Sequence, residues 1–141
     1  MYSKEDYTSE IRSALVIFPE LVVKNDIISG TIKSTEIRIE YDEIYALPKI
    51  LFLSFKNEKL LSGDEVFSTL KIQEDRHQLD TISQTLASNG IPMYTFHPCC
   101  FEKLLAPHKN KLLTLSTLVF STLDLLSEHH YAAMASIDEQ K

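Results

Sequence analysis

The sequence is poor in cysteine and glycine and lacks tryptophan. Its 141 residues include two cysteines, Cys99 and Cys100, and three glycines, Gly30, Gly63 and Gly90. Adjacent cysteines cannot join two distant segments through a disulfide, and glycines so far apart cannot build the phosphate-binding loops of nucleotide-binding enzymes. The sequence therefore disfavours a disulfide scaffold and the common nucleotide-binding classes, so that any chemistry must come from side chains.

Basic residues and long apolar runs are also scarce. The 14 Lys and Arg residues are outnumbered by 20 Asp and Glu residues, giving a net charge of -6, whereas nucleic-acid binding needs a basic surface. The most apolar stretch, residues 112–126, carries several hydroxyl groups and Asp124, and it is too short to cross a bilayer about 30 Å thick. The N-terminus lacks the apolar core of a secretory signal. We expect a cytoplasmic protein with no nucleic-acid partner and no stable membrane insertion.

The remaining composition suits one compact unit. Hydrophobic residues make up 44% of the chain, enough for a sizeable core in a chain of this length. No repeat, linker or low-complexity tract divides it, so we predict a single domain over residues 1–141. The end of the chain from about residue 129 onwards is predicted to be a flexible tail, and we interpret His129 and His130 as solvated residues within it.

Apolar spacing predicts helices towards both ends of the chain. An N-terminal helix that Ser3 caps and that ends before Pro19 is indicated by Tyr7, Ile11, Ala14, Leu15 and Phe18, which recur every three or four residues. A long C-terminal helix after a loop over 99–107 is indicated by Leu112, Leu115, Val119, Leu123 and Leu126. Two shorter helices are expected near residues 64–70 and 79–87.

Strand patterns occupy the region between these helices. Residues 21–32 are rich in Leu, Val and Ile and predict one strand or two. Ile37, Ile39 and Tyr41 alternate with polar residues, which predicts a strand with one buried face and one solvated face. Residues 50–55 are apolar on both faces and predict the centre of the sheet, and residues 93–96 predict a further strand. The class indicated is α+β.

A proline ends this last predicted strand and places a thiol directly beyond it. The segment reads Phe96-His97-Pro98-Cys99. A cysteine at the end of a strand is where a reactive thiol can be exposed, although a free cysteine is also commonly a small buried hydrophobic residue. We favour reactivity for Cys99 and packing for Cys100.

With these elements in this order, the chain resembles the autophagy branch of the ubiquitin-conjugating-enzyme-like family. The resemblance is carried by Phe96-His97-Pro98-Cys99 and, more weakly, by Tyr45 followed by Pro48 and the apolar strand. Within that branch it is most similar to the enzyme that conjugates autophagy protein twelve to autophagy protein five. The fold implied is an antiparallel meander sheet flanked by an N-terminal helix and a long C-terminal helix.

The resemblance implies a two-step thioester relay with Cys99 as the catalytic residue. An activating enzyme passes the ubiquitin-like autophagy-twelve modifier to Cys99, and a lysine of autophagy protein five then attacks the thioester to give an isopeptide bond. It also implies recruitment to the site of autophagosome assembly. Ordinary ubiquitin-conjugating enzymes carry an asparagine directly after His-Pro, where Cys99 stands here, so the auxiliary candidates are Tyr45, His97 and Asn110.

Other functions remain open at this stage. The sister enzyme that conjugates a ubiquitin-like protein to phosphatidylethanolamine shares the resemblance, and a module of the same fold could bind ubiquitin-like proteins without catalysis. A cysteine hydrolase would need His108 or His129 as a partner for Cys99, and no fixed spacing supports either one. The spacing of His97, Cys99, Cys100 and His108 matches no usual zinc pattern, so we predict no metal and no cofactor.

Overall fold

The computed structural model describes residues 2–69, 82–98 and 101–139, so that Cys99 and Cys100 lie outside the described residues. The described helices are α1 (Lys4–Ile17), α2 (Gly63–Thr69), α3 (Phe101–Leu105), α4 (Lys111–Thr122) and α5 (Glu128–Glu139). The described strands are β1 (Leu21–Lys24), β2 (Ile27–Ile32), β3 (Thr35–Asp42), β4 (Leu47–Lys56), β5 (Lys59–Leu60), β6 (Ile82–Leu86) and β7 (Pro92–Phe96).

The strands form an antiparallel sheet in the order β1-β2-β3-β4-β7-β6, with β5 paired to the end of β4. The first four main strands follow one another along the chain, and the β6–β7 hairpin then adds to β4 through β7. β4 is therefore an inner strand, as its two apolar faces predicted. The predicted antiparallel sheet between helices is confirmed.

Helix α1 begins with a capping box. The Asp6 backbone N–H donates to Ser3 Oγ at 3.1 Å, and the Ser3 backbone N–H donates to Asp6 Oδ2 at 2.9 Å, so two orphan donors of the first turn are satisfied. The buried residues of α1 pack with α4 and the sheet into the main core, in which Phe18 contacts Phe120 edge to face at 4.9 Å. The predicted N-terminal helix, its cap and its end before Pro19 are confirmed.

Residues 21–32 form two strands joined by a tight hairpin. Asn25 and Asp26 have φ angles of 52° and 63°, the left-handed conformation that two-residue hairpin turns need and that Asn and Asp tolerate. Gly30 on β2 faces Leu21 on β1, and a Cβ atom at Gly30 would lie 2.5 Å from the Glu20 carbonyl oxygen. Glycine is therefore required at this close approach.

The sheet also corrects the predicted helix over residues 79–87. The part of this segment that the structure describes is strand β6. It pairs with β7, from Ile82 facing Phe96 to Leu86 facing Pro92. Gly90, at φ 83°, donates its N–H to the Ala87 carbonyl at 2.9 Å and closes the hairpin. The Asn-Gly pair at 89–90 is a strong signal for a hairpin turn. Because this turn pairs β6 with β7, the segment forms a strand and the predicted helix is wrong.

The C-terminal region contains shorter helices than predicted. Helix α3 interrupts the predicted loop over 99–107, and α4 ends at Thr122, because Leu123 is its C-cap and Asp124 adopts a left-handed φ of 60°. The segment predicted as a flexible tail is helix α5, and His130, predicted to be solvated, has no exposed surface. Among the described residues, no helix has the length and apolar character needed to span a membrane.

Candidate active site

A groove opens where the pairing of β4 and β7 ends. It has a volume of about 290 Å³ and lies beyond the facing pair Phe52 and Tyr94. One wall is the β3–β4 turn with the start of β4, and the other is the end of β7 with part of β6. His97 and Pro98 line the groove at the end of β7, and Cys99 is the next residue in the sequence.

The β3–β4 turn presents Tyr45 to the groove. Asp42 Oδ1 accepts hydrogen bonds from the Ile44 backbone N–H at 2.9 Å and from the Tyr45 backbone N–H at 3.2 Å, an arrangement that holds the turn in shape. Ala46 completes it with a φ of 53°. Tyr45 is 46% exposed and Ile44 is 90% exposed. An aliphatic side chain so fully exposed beside a groove is available to contact a partner.

The structure brings two of the three auxiliary candidates to one site. Tyr45 and His97 line the same groove, although they are 52 positions apart in the sequence. The lining, as far as the structure describes it, does not include Asn110. Asn110 is the N-cap of α4, where its Oδ1 accepts a hydrogen bond from the Leu113 backbone N–H at 2.9 Å.

A larger cleft of about 690 Å³ lies on the other side of Tyr45, between α1, α3 and the start of α4. Its ionisable side chains include Glu10, Glu102, Lys109 and Lys111. Glu10 Oε1 accepts hydrogen bonds from the Leu112 backbone N–H and from a tyrosine hydroxyl, both at 2.9 Å. The cleft therefore has a mixed charge, and Glu10 joins α1 to the start of α4.

A third cluster, away from the groove, contains residue types that bind metals. Glu20, His129 and His130 bring their ligand atoms within 4.8 Å of one another. Both histidine Nε2 atoms contact Glu20 Oε2, at 3.0 Å from His129 and 2.9 Å from His130. His130 is buried, and its Nδ1 accepts a hydrogen bond from the Ser127 backbone N–H at 2.9 Å.

The tautomer of His130 argues against a metal at this cluster. A backbone N–H can only donate, so His130 Nδ1 must accept and Nε2 must carry the hydrogen that it donates to Glu20. Metal coordination through Nε2 would place the ring hydrogen on Nδ1, where it would face the Ser127 N–H, so that two donors would meet. A metal-bound histidine normally donates that hydrogen to an acceptor. The geometry fits a histidine–carboxylate clamp between α5 and the chain after α1.

The carboxylate of this clamp is stabilised in its charged form. Partial burial by itself would raise the pKa of Glu20, but hydrogen bonds from His130 and His129 outweigh it and hold the pKa below its ordinary value of 4.5. Hydrogen bonding to the charged form of an acid has this effect. Glu20 therefore acts as an anionic acceptor for both imidazole rings.

The wall of the groove that β6 forms was not predicted from the sequence. Ser83, Gln84 and Thr85 line it opposite Tyr45, but the segment was expected to be helical. The alternation of residues 82–86 together with the Asn-Gly turn that follows could have identified this strand. Cys99 stays a prediction as the catalytic residue and Cys100 as a packing residue, since both lie outside the described part of the chain.

Comparison with known proteins decides the family. The family model described as "autophagocytosis associated protein, active-site domain" matches residues 5–134, most of the chain. The chain belongs to this family. Among solved structures, it is similar to one described as the crystal structure of the autophagic E2, Atg10, with a TM-score of 0.61 and 17% sequence identity over 89% of this chain and 99% of that chain. No curated protein matches the sequence.

These findings confirm the family and fold predicted by resemblance. The fold is that of an autophagic E2, the conjugating class of enzyme, with the antiparallel sheet and flanking helices described above. Family membership and fold together support a conjugating enzyme of autophagy.

Proposed function

We propose that the protein carries a ubiquitin-like modifier as a thioester on Cys99 and transfers it to a lysine of an acceptor protein. The observation that supports this most directly is the groove between Tyr45 and His97, which is also lined by Pro98, the residue before Cys99. The chain's membership of the autophagocytosis-associated family supports it as well. A groove lined by the two residues before Cys99 can hold the extended C-terminal end of a modifier. No cofactor takes part in the proposed reaction.

The loading step is a thioester exchange. The Cys99 thiolate attacks the thioester carbonyl that joins the modifier's C-terminal residue to the cysteine of the activating enzyme, and the cysteine of the activating enzyme leaves as a thiolate. An unperturbed thiol has a pKa of about 8.5, so a minor fraction is ionised near neutral pH. The thiolate is a strong nucleophile and also a good leaving group, and one residue therefore serves both steps.

The transfer step forms the isopeptide bond. The neutral lysine amine attacks the Cys99 thioester, the Cys99 thiolate leaves, and the amine proton passes to solvent. The tetrahedral intermediate carries a negative oxygen that a hydrogen-bond donor would stabilise. We assign this role to the Tyr45 hydroxyl, since Tyr45 is fixed by the Asp42 turn and lines the groove at His97.

We further propose autophagy protein twelve as the modifier and autophagy protein five as the acceptor. The resemblance in Phe96-His97-Pro98-Cys99 supports this pair, and the chain spans 99% of the Atg10 chain that it matches. The sister reaction, transfer to phosphatidylethanolamine, is the alternative within the same fold. It would use the same loading step and differ in the acceptor amine.

The experiment that tests this function uses the purified full chain with its activating enzyme, ATP and the autophagy-twelve modifier. Wild type, Cys99→Ser and Cys100→Ser are compared on nonreducing and reducing gels. We expect a thiol-sensitive adduct on wild type and Cys100→Ser, and a reductant-resistant ester or no adduct on Cys99→Ser. Tyr45→Phe should form the thioester and discharge it to autophagy protein five about a hundredfold more slowly, the lower end of the effect of one oxyanion-hole donor.

Each other outcome has a definite meaning. Equal charging of Cys99→Ser would remove Cys99 from the mechanism, and unchanged transfer by Tyr45→Phe would remove the tyrosine hydroxyl. Charging followed by transfer to phosphatidylethanolamine vesicles, with none to autophagy protein five, would establish the sister reaction. Release of free modifier without transfer would indicate a hydrolase.

A further inference from the structure

The strand that carries the His97–Pro98 segment has little backbone pairing to the inner sheet. Within the described residues, the register of β7 on β4 rests on Phe52 facing Tyr94. Regular antiparallel pairing would continue towards Ile50, but the groove begins there instead. β6 pairs with β7 as far as Phe96, but β6 and β7 both belong to the edge hairpin. A contact other than the β4–β7 ladder must therefore hold the end of β7 to the inner sheet.

The Thr95 side chain supplies this attachment. Its Oγ1 donates a hydrogen bond to the Ile50 backbone carbonyl at 2.7 Å, and both residues are buried. The bond takes the place of a strand-to-strand backbone bond at the point where the ladder stops. A buried carbonyl that loses its donor is unfavourable, so this contact constrains where β7 can lie.

The neighbouring side chains fix the opposite face of the strand. Tyr94 and Phe96 point to the side of the main core, where the Phe52 ring packs 6.3 Å from Tyr94 and 5.5 Å from Phe96 between ring centroids. Side chains alternate along a strand, so Thr95 points to the other side. The end of β7 is held on both faces, by aromatic packing on one and by the hydroxyl on the other.

We propose that Thr95 is a positioning residue that sets the distance between the His97–Pro98 segment and the Tyr45 turn. The proposal rests on the function assigned to Cys99, which follows Pro98 directly. Ile50 lies on the same strand that begins after the Tyr45 turn, so the Thr95 bond joins the two walls of the groove. Displacement of reacting groups by about 1 Å can slow a positioned reaction up to a hundredfold.

Three variants separate this role from a general loss of stability. Thr95→Val keeps the shape of the side chain and removes the hydroxyl, and Thr95→Ser restores the hydroxyl. Thr122→Val is the matched control, because Thr122 is also buried and its Oγ1 donates to the Leu118 carbonyl at 2.8 Å, in helix α4. Thr95→Ala replaces Thr95→Val if the valine variant does not fold.

The first measurement does not depend on conjugation. The full chain is labelled with carbon-13 histidine, and the five histidine ring signals are recorded by NMR, with His97 assigned from His97→Asn. We expect Thr95→Val to shift the His97 signal, and Thr95→Ser and Thr122→Val to leave it at the wild-type position. An unshifted His97 signal in Thr95→Val would overturn the proposal.

The second measurement is the single-turnover rate of thioester formation at increasing concentrations of charged activating enzyme. We expect Thr95→Val to lower the maximal rate about tenfold with an unchanged half-saturating concentration, and Thr95→Ser to recover it. A wild-type rate in Thr95→Val, or an equal loss in Thr122→Val, would overturn the proposal. If wild type forms no thioester at all, the proposed function fails, and the histidine spectra still decide whether Thr95 places this segment.

Discussion

Asn110 lies at the start of helix α4, and its side chain is committed to the backbone there. The Oδ1 atom accepts from the Leu113 N–H, which satisfies one of the helix's orphan donors. The sequence suggested Asn110 as a substitute for the missing oxyanion residue because it lies near the cysteine loop. The cap supplies a structural reason for asparagine at this position.

A pair of substitutions at Asn110 separates the two roles. Asn110→Ala should lower the free energy of unfolding by about 1 kcal/mol through loss of the cap, whereas Asn110→Asp should retain most of the stability because Asp caps equally well. Urea unfolding measures both changes. If Asn110→Asp is as stable as wild type yet transfers the modifier at least tenfold more slowly, the amide itself takes part in the reaction and the cap is an incomplete account.

Among single residues, the sequence singled out two that line the groove and did not reveal Thr95. Tyr45 and His97 were chosen from a turn and a motif, and the fold places both on one groove. The contribution of Thr95 was not predicted, because it depends on where the β4–β7 ladder stops. The pattern of one chain does not show how far two distant strands remain paired.

Helix α5 is the element that the sequence least revealed. It mixes polar residues with small and apolar ones, and its attachment depends on Glu20, more than a hundred positions earlier in the chain. The buried His130 ring also packs 5.4 Å from the Phe18 ring between centroids. The place of these residues at the end of the chain predicted a tail. In the structure they form a helix, which is held by the contact of His130 with Glu20 and by the packing of Ala133 and Met134 against the main core.

The two histidines of this clamp should differ strongly in their contribution to stability. His130→Ala removes a buried ring and leaves the Ser127 N–H unpaired, so it should lower the free energy of unfolding by about 2–4 kcal/mol. His129, whose side chain is 55% exposed, is the control, and His129→Ala should cost less than about 1 kcal/mol. Chemical denaturation of both variants measures the difference.

Equal losses in the two variants would show that the clamp does not depend on the buried ring. Zinc added to wild type is a further check on the same element. We expect zinc not to raise the melting temperature. His130 Nδ1 accepts a hydrogen bond from the Ser127 N–H, so Nε2 carries the ring hydrogen and is not free to bind a metal. A rise that His130→Ala abolishes would show that the cluster binds metal.

For the whole molecule, the antiparallel sheet and its inner strand were predicted, whereas the solvated face of the sheet was predicted only in part. The alternation in β3 predicted buried Ile37 and Ile39, which the structure confirms. Arg38 and Glu40 were expected to face water, yet both are partly buried, where they pair with each other and with Ser88 after β6. That network ties β3 to the β6–β7 hairpin across the back of the sheet.

This network and the Glu20 clamp make stability depend on pH. Partial burial would raise the pKa of Glu40, but hydrogen bonds from Ser88 and Arg38 outweigh it, so its pKa lies below the ordinary 4.5, as does that of Glu20. A lowered pKa in the folded state adds stability above the unfolded-state pKa, and this is lost as the pH falls through the folded-state value. The free energy of unfolding should therefore decrease between about pH 5 and pH 3.

Glu40→Gln tests the assignment. The variant should be less stable than wild type at pH 7. The difference should shrink as the pH falls below 4.5, the ordinary pKa of the residue, because the unfolded chain binds the Glu40 proton at a higher pH than the folded protein does. Glu36, which is exposed on the same strand, provides the control substitution Glu36→Gln. Urea unfolding at pH 7, 5, 4 and 3 measures the three proteins, and a difference that stays constant with pH would refute the assignment.

Intact-protein mass spectrometry can show whether Cys99 carries the modifier. The variant Cys100→Ser, which has Cys99 as its one remaining cysteine, is incubated with the activating enzyme, ATP and the autophagy-twelve modifier and measured before and after reductant. We expect the mass of the chain to increase by that of one modifier less one water, and reductant to remove this added mass completely. An unmodified chain in the presence of charged activating enzyme would contradict it.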